Sequence, residues 1–209
     1  MGGQSARRGW TLATIATAAV ALAVTAQPAL RALETDLSDQ QIERALRLGR
    51  NTAAERERFH RRYVFPADGR TPVVNGLQLE SIEVISEFRR MELIAEEHAR
   101  INDTFGRAGL RDAKQALAPW RRNVSIVARV RVIGATNMVR VPRLEVTLDS
   151  LPAAGPVLRR DISNDAALVG GEIETPFDAA VVGETTRTVA VLWNDRLLGR
   201  VRVDFRSID

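Results

Sequence analysis

The end of the chain alternates apolar and polar residues with a period of two, and this pattern constrains the fold more than any other feature. TRTVAVLW, residues 186–193, is followed by Asn194-Asp195 and then by RLLGRVRVDF. Successive side chains of a β-strand point to opposite faces, so the alternation predicts two strands that are each buried on one face. Asn and Asp suit the turn of a hairpin. We predict an antiparallel hairpin whose shared apolar face holds Val189, Val191, Trp193, Val201, Val203 and Phe205.

The same alternation of apolar and polar residues begins at Asn123. VSIVARVRVIG and NMVRVPRLEVTLD both alternate, and weaker strands are predicted near 157–162 and 172–177. Pro142 indicates an edge strand or a bulge. Roughly five or six strands at about ten-residue intervals, without helices between them, are typical of an antiparallel sandwich. We predict that residues 121–209 form a β-sandwich, Ig-like in general architecture.

The preceding region has helix signals. Ser38 with Gln41, and Thr52 with Glu55, each have the spacing of a capping box, which marks the start of a helix. The two helices are short, so this part of the chain is predicted to begin with a helical hairpin.

The segment 77–103 supports two interpretations. From Leu79 to Phe88 its apolar residues recur near helical spacing, but the same stretch also alternates as a strand does. We predict a helix and leave open a strand at its start. A further short helix over 107–119 completes a helical region that extends over 37–120.

The N-terminal segment has the pattern of an export signal. Arg7 and Arg8 precede an uncharged stretch from Gly9 through Leu30, and Val24–Ala26 has small residues where a signal peptidase reads them. We predict a signal peptide over 1–26, cut before Gln27. The alternatives are an uncleaved N-terminal anchor, because the uncharged stretch is just long enough to span a bilayer, and the twin-arginine export route.

Composition excludes several kinds of chemistry. The chain has no cysteine, which rules out disulfides, thiolate metal sites and cysteine nucleophiles. The pI is about 10.7, but the formal net charge is only +4. Lys114 is the only lysine, so 29 of the 30 basic residues are arginines, which do not titrate near neutrality. These arginines are interspersed with 26 acidic residues, so nucleic acid is not an expected partner.

The two histidines, His60 and His98, do not form a recognisable catalytic motif. No serine lies in the G-x-S-x-G pattern of a hydrolase nucleophile. Glu57 and His60 form an E-x-x-H, which places two metal ligands on one helical face, but a di-metal bundle requires a second copy of that motif. We interpret both histidines as partly exposed helix residues.

Asp161 to Asp165, with Glu172 at the twelfth position, faintly resembles a calcium-binding loop. Ala166 occupies the place of the glycine that makes the sharp turn, and the flanking segments are predicted strands. We therefore interpret the segment as an ordinary polar loop. The Gly-Gly at 170–171 is too short to cradle a phosphate.

Four glutamates, Glu87, Glu92, Glu96 and Glu97, lie close together in the sequence. Glu96 with Arg100, and Arg89 with Glu92, have the spacing of helix-surface ion pairs, so we do not assign the carboxylates to acid–base catalysis. Trp120 and Trp193 are predicted to anchor cores.

These observations predict an α+β protein in four parts: a signal or anchor at 1–26, a tether at 27–36, a helical region at 37–120 and a β-sandwich at 121–209. No catalytic, cofactor-binding or metal-binding residue is assigned. The expected function is a non-enzymatic binding or assembly module of the cell envelope, periplasmic or secreted, whose partner is another envelope protein or a polymer. The alternatives are a membrane-tethered accessory subunit, anchored in the inner membrane and facing the periplasm, and a carboxylate- or metal-dependent hydrolase.

Overall fold

A computed structural model describes residues 33, 35–68, 71–107, 109–134, 137–165 and 167–208. These residues form helices and two antiparallel sheets, which confirms the predicted α+β class. The predicted signal peptide or anchor, and most of the predicted tether, lie outside the described residues. Within the described ranges, no helix has both the length and the apolar character that crossing a bilayer requires.

The helices begin and end near the predicted signals. They are α1 Asp39–Gly49, α2 Ala53–His60, α3 Glu87–Arg100, α4 Arg111–Leu117, a 3₁₀ turn at Ala118–Trp120 and α5 Ala179–Val182. Ser38 and Thr52 cap α1 and α2, and each makes both hydrogen bonds of a capping box. The two predicted capping boxes are confirmed.

The strands form two sheets. They are β1 Val64–Pro66, β2 Leu77–Ile85, β3 Asn123–Val132, β4 Glu145–Leu148, β5 Leu158–Asn164, β6 Ala167–Asp178, β7 Thr186–Trp193 and β8 Arg196–Asp204. The five-stranded sheet has the order β1-β2-β3-β6-β5, and the three-stranded sheet has the order β4-β7-β8.

The predicted order of helices followed by strands is not confirmed. Both β1 and β2 lie between α2 and α3, and β2 pairs with β3 along its whole length. The alternative left open for 77–103 is therefore correct: a strand comes first, and the helix begins only at Glu87. β2 mixes five apolar residues with Gln78, Glu80, Ser81 and Glu83, and a bulge between Leu79 and Ser81 interrupts its alternation. Its apolar residues therefore also fit a helical period.

The predicted C-terminal hairpin is confirmed. Asn194 and Asp195 connect β7 to β8 with φ of 47° and 64°, the left-handed conformation that a two-residue hairpin turn of this hand needs at both positions. The valines predicted for the shared face, and Phe205, are buried, while Trp193 packs against the edge of the core.

Two hydrophobic clusters hold the fold together. The larger one takes residues from both sheets, for example Ile82, Ile126 and Ile173 from the five-stranded sheet and Leu148 and Val191 from the other. The smaller one joins α1, α3 and α4 into a helical layer, through Ile42, Leu46, Phe88, Met91, Ala95, Ala113 and Leu117. The strand β2 therefore belongs to the same core as the strands that follow residue 121.

Candidate functional site

The five-stranded sheet has an inner face, turned to the larger core, and an outer face, turned to α3. On the outer face Glu83, Val127, Glu174 and Leu158 are paired in a row across β2, β3, β6 and β5. The next row holds Ser81, Arg129, Glu172 and Arg160. Charged side chains therefore stand in register on four adjacent strands.

An open groove of about 950 Å³ lies between this outer face and the helices α2 and α3. We call it the charged groove. Fourteen of the twenty residues that line it are ionisable, namely seven arginines, six glutamates and His60, so its walls are polar where small-molecule pockets are mostly apolar. The other lining residues are Ala53, Ile85, Leu93, Ile94, Val127 and Leu158.

A buried ionic cluster lies at one end of the charged groove. Arg89, in the first turn of α3, is 2% exposed, and its guanidinium donates to Glu83 Oε1 at 3.2 and 3.3 Å. It also contacts the Glu92 carboxylate and His60 Nδ1. His60 Nδ1 lies 3.3 Å from Glu83 Oε1. One arginine therefore joins two carboxylates and an imidazole that come from β2, α3 and α2.

The two carboxylates of this cluster differ in acidity. Burial disfavours the charged form of Glu83, but the adjoining His60 ring and the charge of Arg89 outweigh it, so the pKa of Glu83 is lowered. Burial dominates at Glu92, whose pKa is raised despite the same arginine. Glu92 is fully buried, and its Oε1 has no hydrogen-bond partner among the described residues.

Arg90 connects α3 to the centre of the sheet. Its guanidinium contacts the Glu174 carboxylate, lies 3.3 Å from Ser125 Oγ and stacks 4.0 Å from the ring centroid of Trp120. A guanidinium over an indole face is stabilised by cation–π attraction. Arg90 therefore fixes the distance between the helical layer and the outer face.

A second ionic cluster lies toward β5. Glu172 Oε1 accepts from Arg129 at 2.7 and 3.1 Å, and Glu172 Oε2 lies 3.8 Å from Arg160. The Arg160 side chain is 81% exposed, so its charge stays available at the rim. Arg100, which also lines the charged groove, lies 3.6 Å from Glu96 and is largely exposed as well.

The residues that the sequence singled out are not gathered in one place. Glu57 and His60 both line the charged groove, but Glu57 pairs with Arg61 at 3.2 Å, whereas His60 contacts Glu83. His98 lies elsewhere, 2.9 Å from Asp103 and stacked on Phe105. The hydrogen bond from His98 is the largest cause of the lowered pKa of Asp103.

Glu87 has a structural position. Its buried carboxylate accepts from the backbone N–H of Asp36 at 3.2 Å and of Arg122 at 2.6 Å, and burial raises its pKa. These bonds tie the start of α3 to the chain before α1 and before β3. Glu87 does not line the charged groove.

The calcium-like segment is a hairpin. Asp161 to Asn164 belong to β5, Asp165 makes the turn, and Asp161 Oδ1 accepts from the Val141 N–H at 2.9 Å. Over the residues that the structure describes, no three His, Asp or Glu side chains are grouped so as to hold a metal ion. The glycines at 170–171 have a steric reason, because a Cβ on Gly170 would lie 2.4 Å from the Val130 carbonyl oxygen.

Of the two ion pairs predicted for the surface of α3, one is confirmed and the other forms in the interior of the protein. Glu96 and Arg100 form the expected pair, in which Arg100 is largely exposed, whereas Glu96 is partly buried and also lies 3.3 Å from Arg56. Arg89 and Glu92 do pair, but in the interior, because α3 turns that face toward β2. Trp120 and Trp193 each pack against the edge of a core, in partial agreement with their predicted anchoring role.

Sequence reasoning missed the outer-face residues Glu83, Arg129 and Glu174, and it considered Glu172 only as the twelfth position of the calcium-like segment. A signal for them was present, since charges recur at alternate positions of β3 and β6. The arrangement presents a fixed pattern of charges along an open groove, which can bind a charged, extended partner.

No protein-family model, no curated protein and no solved structure is significantly similar to this chain.

Proposed function

We propose that this protein is a non-enzymatic binding or assembly module and that the charged groove is its binding surface. The observation that carries the proposal is the groove itself, which is open, large and lined mainly by ionisable groups. An open charged trough suits a segment of a protein or polymer, because such a partner matches charges over a length and does not need enclosure.

The prearranged charges support binding. Arg90 and Arg129 are held by carboxylates and by neighbouring side chains, so little side-chain freedom remains to be lost when a partner docks. The exposed arginines at the rims, Arg100 and Arg160, provide the charges that a partner meets first.

Catalysis by a hydrolase is a second candidate, and one contact favours it. His60 is only partly buried, lines the groove and has Nδ1 next to the Glu83 carboxylate, as a general base held by an acid does. Arg89 contacts the same nitrogen, however, and a guanidinium can only donate. The carboxylate alone therefore does not orient the ring, and we rank this candidate below binding.

The location that we propose is the cell envelope, with the protein periplasmic or secreted. The support is the basic, then apolar, then small-residue pattern of residues 1–26. Intact mass of the expressed protein in separate membrane and periplasmic fractions tests it. A soluble species that begins at Gln27 is the expected result, and a full-length species confined to the membrane would favour the tethered-subunit alternative instead.

We further propose that the two sheets face each other as a sandwich, Ig-like in general architecture. The support is that both sheets contribute to one hydrophobic cluster. Gly199→Ala tests the proposal, because a Cβ on Gly199 of β8 would lie 2.8 Å from Leu79 Cδ2 of β2. We expect this variant to be destabilised, and the combined Gly199→Ala and Leu79→Ala variant to lose less stability than the sum of the two single changes. Additive losses would contradict the facing of the two sheets.

Site-specific photo-cross-linking in cells that express the full chain tests the binding proposal. A photoreactive residue at Glu97 or Ile94, on the α3 wall, is expected to give a discrete adduct, whereas the same residue at Val139, which is 88% exposed and outside the groove, is not. The adduct should weaken in Arg100→Glu and persist in Arg140→Glu, an exposed arginine away from the groove. Equal adducts from groove and control positions would refute the proposal.

A further inference from the structure

The strand β5 is an unpaired edge. It pairs with β6 on one side, and among the described residues no strand pairs with its other side. Alternate residues of such a strand direct their N–H and C=O groups away from the sheet, where another strand can bind them. Leu158, Arg159, Arg160 and Asp161 are all exposed, so the edge is accessible.

The order of residues in β5 is complementary to its own reverse. It begins with an apolar residue and two arginines and continues with an aspartate and an apolar residue, from Leu158 to Ile162. If two copies pair antiparallel about a two-fold axis at Arg160, Arg159 of each copy lies opposite Asp161 of the other. Leu158 of each copy then lies opposite Ile162 of the other.

We propose that the partner of this edge is a second copy of the chain and that the protein forms a symmetric dimer through β5. The pairing would run one continuous sheet through both copies. It brings two cross-strand ion pairs and two apolar pairs into register, and each kind stabilises an antiparallel pair. The proposal stands whether or not the charged groove binds a partner.

One pair in this register is unfavourable by itself, because the two copies of Arg160 face each other at the axis. Each of them lies 3.8 Å from Glu172 Oε2 of its own chain, which offsets the repulsion. Centring the axis on Asp161 is worse, because it opposes two aspartates and places Arg159 against Ser163. Charges on an edge strand usually prevent pairing. Here their opposite signs, two residues apart, select one register.

The dimer would also join the two charged grooves. Leu158 and Arg160 line the groove and lie next to the axis. A groove wall in each copy would then continue into its symmetry mate, so a long partner would meet a surface twice as extended.

A charge swap tests the pairing in the purified full chain, with mass measured by light scattering after size-exclusion chromatography. Arg159→Asp alone opposes two pairs of aspartates, and we expect the dimer Kd to rise by about tenfold or more. Combining it with Asp161→Arg restores both ion pairs and should restore the dimer, and Asp161→Asn, which keeps an acceptor for the Val141 N–H but removes the charge, should weaken it. A monomer at every concentration for the wild type, or an unchanged Kd in Arg159→Asp, overturns the proposal.

Disulfide cross-linking tests the register of the pairing, and the chain has no native cysteine that could form a competing disulfide. A cysteine replacing Arg160 lies opposite its own copy, within the roughly 7 Å between Cα atoms that a disulfide tolerates. A cysteine replacing Ser163 is separated from its copy by about 20 Å at ~3.3 Å per residue. We expect a rapid covalent dimer from Arg160→Cys and not from Ser163→Cys. Equal or absent cross-linking in both refutes this pairing.

Discussion

The two faces of the five-stranded sheet come from the same strands but are stabilised in different ways. The inner face presents Ile82, Ile126 and Ile173, each at most 1% exposed. On the same strands, the outer face presents Glu83, which follows Ile82 on β2, and Arg129, which lies three residues after Ile126 on β3. Hydrophobic burial stabilises the inner face and does not depend on the orientation of the contacting groups, whereas the outer face depends on specific pairs of opposite charges.

The apolar inner face therefore maintains the fold, whereas the charge pairs of the outer face give this protein its particular surface. Any well-shaped apolar residue can occupy the inner face at modest cost. A charge on the outer face must keep its partner, because α3 covers part of that face and excludes water from it. The helical layer therefore converts an ordinary solvent-facing pattern into a groove with a fixed charge arrangement.

The largest expected effect is on the buried charges. Arg89→Met should lower the free energy of unfolding by about 4 kcal/mol, because it leaves two buried carboxylates without their cation. Urea unfolding followed by tryptophan fluorescence measures it. Arg100→Met, on the exposed side of the same helix, should change stability by less than about 0.5 kcal/mol. Adding Glu92→Leu to Arg89→Met should recover part of the loss, and no recovery would contradict this explanation.

The inner face is next in size. Ile126→Ala should cost about 3 kcal/mol, from lost burial and the cavity that remains. Arg129→Ala, three residues along the same strand but on the outer face, removes a pair that is partly exposed to solvent, and we expect less than about 1 kcal/mol. Unfolding midpoints measured under identical conditions compare the two. Equal losses would mean that the two faces are not stabilised differently.

A smaller effect is expected where the helical layer is held together. In an ordinary helix Gly→Ala stabilises by about 1 kcal/mol. At Gly49 the new Cβ would lie 2.5 Å from the Glu92 carbonyl oxygen and 2.6 Å from Ala95 Cβ, so α1 must move away from α3. We expect Gly49→Ala to destabilise by about 2 kcal/mol instead. A stabilised variant in thermal melts would show that the two helices do not cross this closely.

The subtlest effect is a pair of opposite pH dependences. The pKa of Glu92 is raised in the folded state, so its contribution to stability is present below its ordinary value of 4.5 and is lost as pH rises through the folded pKa. The pKa of Glu83 is lowered, so its contribution is present above 4.5 and is lost as pH falls through the folded pKa. The advantage of wild type over Glu92→Gln should therefore shrink as pH rises, and its advantage over Glu83→Gln should grow.

The two variants are matched, because both carboxylates contact the same Arg89. Unfolding free energies of the wild type and both variants across the acidic range give the two slopes. Slopes of the same sign would show that burial does not separate the two carboxylates.

Sequence reasoning succeeded where local chemistry decides the structure. The two capping boxes and the Asn194–Asp195 turn need only neighbours in the chain, and all three formed as predicted. It left β2 undecided, because the bulge between Leu79 and Ser81 interrupts the alternation that identifies a strand, and the apolar residues then also fit helical spacing. Only its pairing with β3, at least forty residues away, distinguishes it from a helix.

The site was harder to predict than the fold for the same reason. Arg89 and Glu92 have the spacing of a surface pair, and nothing local indicates that α3 turns them toward β2 and His60. The sequence shows the alternating charged residues of β3 and β6, but it does not show that α3 lies over them. A groove is a relation between elements that are distant along the chain, so local patterns do not encode it.

The amino-acid sequence by itself therefore determined the helix starts, the hairpin turn, the strands with one apolar face and the exclusion of cysteine chemistry. These follow from backbone preferences and from periodicity, which act over a few residues. The tertiary structure alone decided that β2 joins the sheet, that α3 covers its outer face and that the charges beneath α3 are paired. Those outcomes depend on which distant surfaces exclude water from each other, and that free energy exists only once the chain has folded.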